Sequence, residues 1–210
     1  MATLPTPLER FVQGILPENP VYRQFLGLCP TLAVTNGLKP AVTMALAVGF
    51  VLLGANVIIC LIRNLLRPLL RIVVFSLTIA TFVTIVDRVL PAYMYQMSKA
   101  LRPYIPLIIV NCIIICRCQV CASRQPVTSA AADAVGQSLG FGLALVSIAV
   151  VREILGTGML AGFQVLPEAW PDWVIMVLPP GAFLTFGLLM ALVNWVSRVR
   201  SDPGSYGGRG

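Results

Sequence analysis

The sequence predicts an all-α integral membrane protein: six transmembrane segments as two inverted three-segment repeats, with the first and fourth segments short or broken. Three features of the chain lead there. Of its 210 residues 58% are hydrophobic and 11% charged, where a soluble domain is about half apolar and a quarter charged. Six uncharged runs recur along its length, at 24–38, 41–62, 72–86, 103–116, 134–151 and 173–197. They come in the order short, long, long, and then short, long, long again. Such a duplicated unit with interrupted segments in corresponding positions points to a central site between the halves. An odd number of crossings per unit inserts the halves in opposite orientation.

The same composition excludes whole classes of function. A soluble globular enzyme does not fit it. No His is present, which removes the usual general base near neutral pH, the Ser/His and Cys/His nucleophile pairs and imidazole metal sites. The net charge of +7 does not indicate nucleic acid, because the basic residues punctuate apolar runs rather than cluster on one face among aromatics.

Taken in order, residues 1–23 form an N-terminal interfacial segment in which Leu8 to Leu16 reads as a short amphipathic helix. With Glu9, Arg10 and Glu18 it lacks the apolar core of a signal peptide. The membrane domain covers 24–197, repeat one about 24–90 and repeat two about 103–197. In the first segment Gly27 and Pro30 interrupt the run. Ala41 to Ile62 is long enough, at about 1.5 Å per residue, for the roughly 30 Å of hydrocarbon. Ile72 to Val86 spans it only with Leu69, Leu70, Val89 and Leu90, Arg71 and Arg88 reaching outward. The fourth run, Pro106 to Cys116, is short. In the fifth, Gly136, Ser138, Gly140 and Gly142 supply a small-residue face for close helix packing. The sixth, with Gly187, should kink at Pro179-Pro180-Gly181. Trp170, Trp173 and Trp195 suit interfacial belts, and 198–210 reads as a flexible cytoplasmic tail.

If all six segments cross, one face receives Arg10, Arg23, Arg63, Arg67, Arg71, Arg117, Arg124, Arg198, Arg200 and Arg209. The other receives Lys39, Arg88, Lys99, Arg102 and Arg152. That bias places both termini in the cytoplasm. The remaining charges have plain readings: Asp87 with Arg88 as an interfacial ion pair, Asp133 as a carboxylate at a helix start, Arg152 with Glu153 as a boundary pair.

The six thiols are Cys29, Cys60, Cys112, Cys116, Cys118 and Cys121. Disulfides do not suit a chain without secretory context, whereas thiolates in a water-poor setting suit soft metals and iron–sulfur centres. Two ligand sets compete. Cys112, Cys116, Cys118 and Cys121 form a local C-x3-C-x-C-x2-C array, a spacing unlike the usual ferredoxin runs. Alternatively Cys29 and Cys112, one in each short segment, supply half of a site that a second, similar subunit completes. A third reading makes them small buried thiols. Cys60, inside a long apolar helix, reads as core.

Several stretches carry a family resemblance over nearly the whole chain: Leu26-Gly-Leu-Cys-Pro-Thr-Leu-Ala-Val-Thr35, Ile62-Arg-Asn64 with Arg71-Ile-Val73, and Val86-Asp-Arg-Val-Leu-Pro-Ala-Tyr93. With them go Leu107-Ile-Ile-Val-Asn-Cys112, Arg152-Glu-Ile-Leu-Gly-Thr-Gly158 and Pro179-Pro-Gly-Ala-Phe183. The chain resembles the D subunit of the sodium-translocating NADH:quinone reductase and the related E subunit of the Rnf electron transport complex.

The resemblance implies six spans in inverted halves, pairing with a homologous subunit of opposite topology, in a bacterial inner membrane. It implies that Cys29 and Cys112 ligate an iron–sulfur centre of the 2Fe-2S type shared across that pair. Flavins and NADH would be held by other subunits, and the complex would couple electron transfer from NADH to quinone with sodium export. One stretch departs from the family: after Cys112 the usual Gly-Arg-Ala-Glu-Ala is replaced by Cys116-Arg117-Cys118-Gln119-Val120, so the expected carboxylate is missing. Asn36 and Gly162-Phe-Gln-Val-Leu-Pro167 lean toward the reductase, Pro179-Pro-Gly toward Rnf. A small secondary transporter, whose broken segments would bind a substrate, is the rival from another class.

Overall fold

Apolar sequence free of helix breakers forms long helices, and in lipid it must, since every backbone polar group has to be satisfied within the segment. The structure, a computed structural model, describes residues 19–63, 70–122, 125–157, 159–160, 163–164 and 178–201. Its helices in chain order are α1 (Leu28–Val34), α2 (Leu38–Ile62), α3 (Arg71–Tyr93), α4 (Tyr95–Leu101), α5 (Pro106–Ile109), α6 (Cys112–Arg117), α7 (Val127–Thr157) and α8 (Pro179–Ser201). A 3-10 turn, Arg102–Tyr104, joins α4 to α5, and a π-helical turn, Cys118–Ala122, extends α6. After α7, Met159–Leu160 and Phe163–Gln164 pair as a two-residue antiparallel ladder. The fold is otherwise all-α.

Four helices, α2, α3, α7 and α8, are long and apolar enough to cross a membrane, and Tyr95–Tyr104 with Pro106–Ala122, bent by 55° at the break between them, is a broken span or a re-entrant loop. The fourth segment is therefore broken, as its Pro residues and Asn111 suggest. The first is reduced further. With seven residues, α1 is about 10 Å long at 1.5 Å per residue, a third of the hydrocarbon thickness. Six full crossings are not formed by the described residues, because Gly27 and the turn before it delay the first helix until Leu28.

Two boundaries move for local reasons. The helix expected from Ala134 starts at Val127, because Thr128 and Ser129 continue the helix after Pro126 instead of stopping it. Pro179 and Pro180 do not kink the last helix. They open it, which suits Pro because the first helical N–H groups have no partner within the helix. The interfacial helix expected at Leu8–Leu16, Trp170, Trp173 and the tail beyond Ser201 lie outside the described residues; Trp195 is exposed on α8.

The core lies between α2 and α7, with α3 completing it. Met44, Val48, Leu52 and Ile59 of α2 are buried together with Phe141, Leu145 and Ile148 of α7. On α3 the stripe Phe75, Ile79, Val83 and Val86 turns inward, while Ile72, Val73, Leu77 and Val89 face outward. Leu46 and Leu188 are likewise exposed. Lipid tails are as apolar as Leu, so burial does not drive these helices together and close packing must. The small residues supply it: a Cβ on Gly49 would lie 3.2 Å from Ser138 Cβ, and one on Gly142 3.4 Å from Ala45 Cβ. Hydroxyls in α3 are satisfied internally, Ser76, Thr78, Thr81 and Thr84 each donating to the carbonyl four residues earlier.

Candidate functional site

The approach to α1 is a turn docked on α7. Asn19 accepts from the N–H groups of Val21 and Tyr22 through Oδ1, at 3.0 and 3.2 Å, and donates through Nδ2 to the Gly140 carbonyl at 3.0 Å. The hydroxyls of Tyr22 and Ser147 lie 2.6 Å apart. The chain then turns into α1 through two left-handed residues, Phe25 at φ 55° and Gly27 at φ 75°. Position 27 requires glycine twice over: the dihedral disfavours a side chain, and a Cβ would stand 2.8 Å from the Phe141 ring. Phe141 sits halfway along α7, so the beginning of α1 is held against the middle of a crossing helix.

The broken fourth segment arrives at the same place. Its helix α5 ends at Ile109, and Asn111, with extended backbone, caps α6 by accepting from Ile113 N–H at 3.2 Å. Cys112 is the first residue of α6. Its Sγ accepts a hydrogen bond from Gly27 N–H at 2.9 Å. Asn111 Oδ1 lies 3.5 Å from where a Cβ on Gly27 would be. The starts of α1 and α6 thus meet, and Cys29, two residues beyond Gly27, stands in the first turn of α1.

Both Cys29 and Cys112 are exposed on the surface of the chain. A backbone N–H directed at a sulfur stabilises negative charge on it, and the thiolate is the form that ligates metal. Among the described residues no three His, Cys, Asp or Glu side chains are gathered closely enough to hold a metal ion. Cys29 and Cys112 stand exposed where the starts of the two short helices meet.

The local array of four cysteines is not brought together. Cys118 and Cys121 are buried. Cys118 Sγ lies 3.4 Å from Asn56 Oδ1, and Cys121 Sγ lies 3.6 Å from Gln125 Oε1. Cys60, buried as expected, donates to the Gln125 carbonyl at 3.2 Å, which Arg63 also reaches. These thiols tie α2 to the π-helical turn and the chain following it.

The charged residues depart from their sequence readings. Asp87 and Arg88 form no ion pair with each other, since successive helix positions point in different directions. Asp133 is not at a helix start: α7 begins at Val127, well over a turn earlier, and the Asp133 carboxylate pairs with Arg117 at 3.4 Å, both side chains buried. Arg152 and Glu153 reach separate elements. Arg152 donates to Thr35 Oγ1 at 2.8 Å and to the Leu32 carbonyl at 3.3 Å, at the end of α1, and to the Leu178 carbonyl at 3.4 Å before α8. Glu153 accepts from Leu38 N–H, at 2.7 Å, at the start of α2. One dipeptide thus fixes the corner between the Cys29 helix and the first full span. The only sequence signal for this was the Arg-Glu pair at the end of an apolar run, which a solvated boundary produces equally well.

Comparison with known proteins gives a consistent picture. The family described as "Rnf-Nqr subunit, membrane protein" matches residues 7–190. The E subunit of the Na(+)-translocating ferredoxin:NAD(+) oxidoreductase complex of Acetobacterium woodii is 44% identical, covering 91% of this chain and 97% of its own. The E subunit of an ion-translocating oxidoreductase complex of Methanosarcina acetivorans is 39% identical over 94% of this chain and 95% of its own. The D subunit of a Na(+)-translocating NADH-quinone reductase from a Shewanella species is 40% identical over 89% and 92%.

Proposed function

Because this chain belongs to the Rnf-Nqr subunit family of membrane proteins, we propose that it is a membrane subunit of an ion-translocating oxidoreductase complex in which Cys29 and Cys112 hold half of an iron–sulfur centre. The observation that carries this is the meeting of two short helix starts, each with an exposed thiol, joined by the Gly27 to Cys112 hydrogen bond. A homologous subunit of opposite topology would supply the other half. The centre, of the 2Fe-2S type, would supply a one-electron carrier when bound.

The chain's own contribution is position. Lodging against Phe141 would put the thiols near mid-depth, dividing the roughly 30 Å of hydrocarbon into two shorter electron-transfer distances. In the assembled complex apolar surroundings would keep bulk water away, and Gly27 N–H would stabilise charge on the Cys112 sulfur. Flavin-carrying and NADH-oxidising subunits would stand at either end of the path, and the complex would lie in a bacterial inner membrane with both termini of this chain cytoplasmic.

Two branches share this membrane subunit and differ in soluble partners. The 44% identity to the Acetobacterium woodii protein and the Pro179-Pro180-Gly181 helix start favour a ferredoxin:NAD complex. Asn36 and the Gly162 to Pro167 stretch favour the NADH:quinone reductase that couples to sodium export. Membranes carrying the complex would reduce NAD+ from reduced ferredoxin in the first case and quinone from NADH in the second. The ligand assignment is tested by Cys29→Ser and Cys112→Ser in the purified complex. Each should abolish the iron–sulfur spectroscopic signal assigned to this pair, and full iron content in both variants would sink the reading.

A further inference from the structure

Between the turn that precedes α1 and the second half of α8 lies a pocket of about 210 Å³, lined by Tyr22, Arg23, Phe25, Met190, Val193 and Asn194. Part of its wall is aromatic and held in place. The Tyr22 ring stacks on Phe186 of α8 at 6.3 Å between centroids, and the Phe25 ring meets Phe186 edge-on at 6.5 Å. Met190 and Val193 continue the apolar surface along α8. The rest of the lining is polar, a guanidinium and a carboxamide, both on exposed residues. Arg23 N–H donates to the Asn19 carbonyl at 3.0 Å, which fixes its turn. Among the described residues no carboxylate pairs with its side chain.

The pocket lies toward one end of the span. The stretch of α8 long and apolar enough to cross, Pro179–Val196, ends just after Asn194. Trp195 beside it is exposed, as a residue of an interfacial belt is, and Arg198 and Arg200 follow. A cation just inside the hydrocarbon edge is costly without an anion, and a long side chain meets one by reaching to the headgroup level. The guanidinium fork matches the oxygens of a phosphate.

We propose that this pocket is a binding site for an anionic phospholipid. Arg23 and Asn194 donate to the headgroup phosphate, and Phe25, Met190 and Val193 hold the first methylenes of an acyl chain. A soluble anion would leave the apolar part of the lining without a partner. The net charge of +7 favours a lipid of net negative charge over a zwitterionic one.

The test uses the whole complex in phosphatidylcholine nanodiscs that carry a trace of photoactivatable lipid, phosphatidylglycerol in one preparation and phosphatidylcholine in the other. Each has a diazirine near the headgroup end of an acyl chain, and crosslinks to the Met190 to Asn194 stretch are mapped by mass spectrometry. The expected result is about fivefold more labelling by phosphatidylglycerol, the factor that one basic residue near the surface adds for an anionic lipid. Arg23→Gln should bring the ratio close to one, and Arg23→Lys should keep most of it. Equal labelling of the wild type by both lipids overturns the proposal, and so does a preference that survives Arg23→Gln. Labelling by neither lipid would place this surface under a neighbouring subunit and overturns it too. Inorganic phosphate in excess should not displace the label; displacement would make the site one for free phosphate. If Arg23→Gln does not assemble, the wild-type ratio decides alone.

Discussion

Gly27 N–H points at the sulfur of Cys112, 85 residues away, at 2.9 Å. That bond joins the starts of two short helices, and its geometry depends on the left-handed backbone at Gly27. Gly27→Ala should therefore act on stability and site together. The dihedral alone disfavours Ala by about 1–2 kcal/mol, and its Cβ would meet the Phe141 ring at 2.8 Å. We expect a lower thermal midpoint of the detergent-solubilised complex and a shifted iron–sulfur signal. A Gly27→Ala complex with wild-type stability would show that α1 can re-enter by another route.

The buried Arg117–Asp133 pair behaves differently from a surface one. Removing either partner leaves a charge in an apolar interior, which costs about 3–5 kcal/mol, whereas replacing both by apolar residues is often nearly neutral. Asp133→Ala should destabilise strongly, and Arg117→Met with Asp133→Leu should recover most of the loss. Denaturation of these variants in detergent checks this; additive losses would mean the two side chains do not depend on each other.

Arg152 and Glu153 hold the corner between α1 and α2 by contacts of different kinds. Arg152→Ala removes donors to Leu32, Thr35 and Leu178, and should loosen both α1 and the start of α8. Glu153→Gln keeps an acceptor for Leu38 N–H and should cost less than about 1 kcal/mol, near the value of an ordinary hydrogen bond. Proteolysis and thermal unfolding would rank them, with Arg152→Ala the more severe; the opposite order would place the corner's strength in Glu153.

Cys118 and Cys121 are packing residues in this structure. Alanine at either should leave the iron content of the complex unchanged while lowering stability by about 1 kcal/mol, roughly the loss of a small buried group. Loss of iron in either variant would return the local four-cysteine array to consideration.

Because α3 is a full-length apolar helix, the segments at its two ends should face opposite sides of the membrane. Reporter tags near Arg63 to Arg71 should report cytoplasm, and tags between Asp87 and Arg102 the far side. Both tags on one side would mean that α3 does not cross, and the reversed pair would overturn the cytoplasmic placement of the termini.

Hydropathy over some twenty residues is a local quantity, and lipid makes it decisive by forbidding unsatisfied backbone. The class of solvent and much of the element order could therefore be read along the chain. The spans around Ala41 to Ile62 and Ile72 to Leu90, the broken passage before Cys112, and the two thiols in the short segments were all legible. Which polar groups meet was settled only by the folded arrangement. Nothing along the chain shows that Arg117 finds Asp133, that Arg152 holds the end of α1 while Glu153 holds the start of α2, or that Cys118 and Cys121 turn inward as Cys29 and Cys112 turn outward. A helix displays side chains around its full circumference, and in lipid its outward face is as apolar as its inward one. Periodicity therefore cannot say which side is the interior; close packing of Gly49 on Ser138 and of Gly27 against Phe141 does.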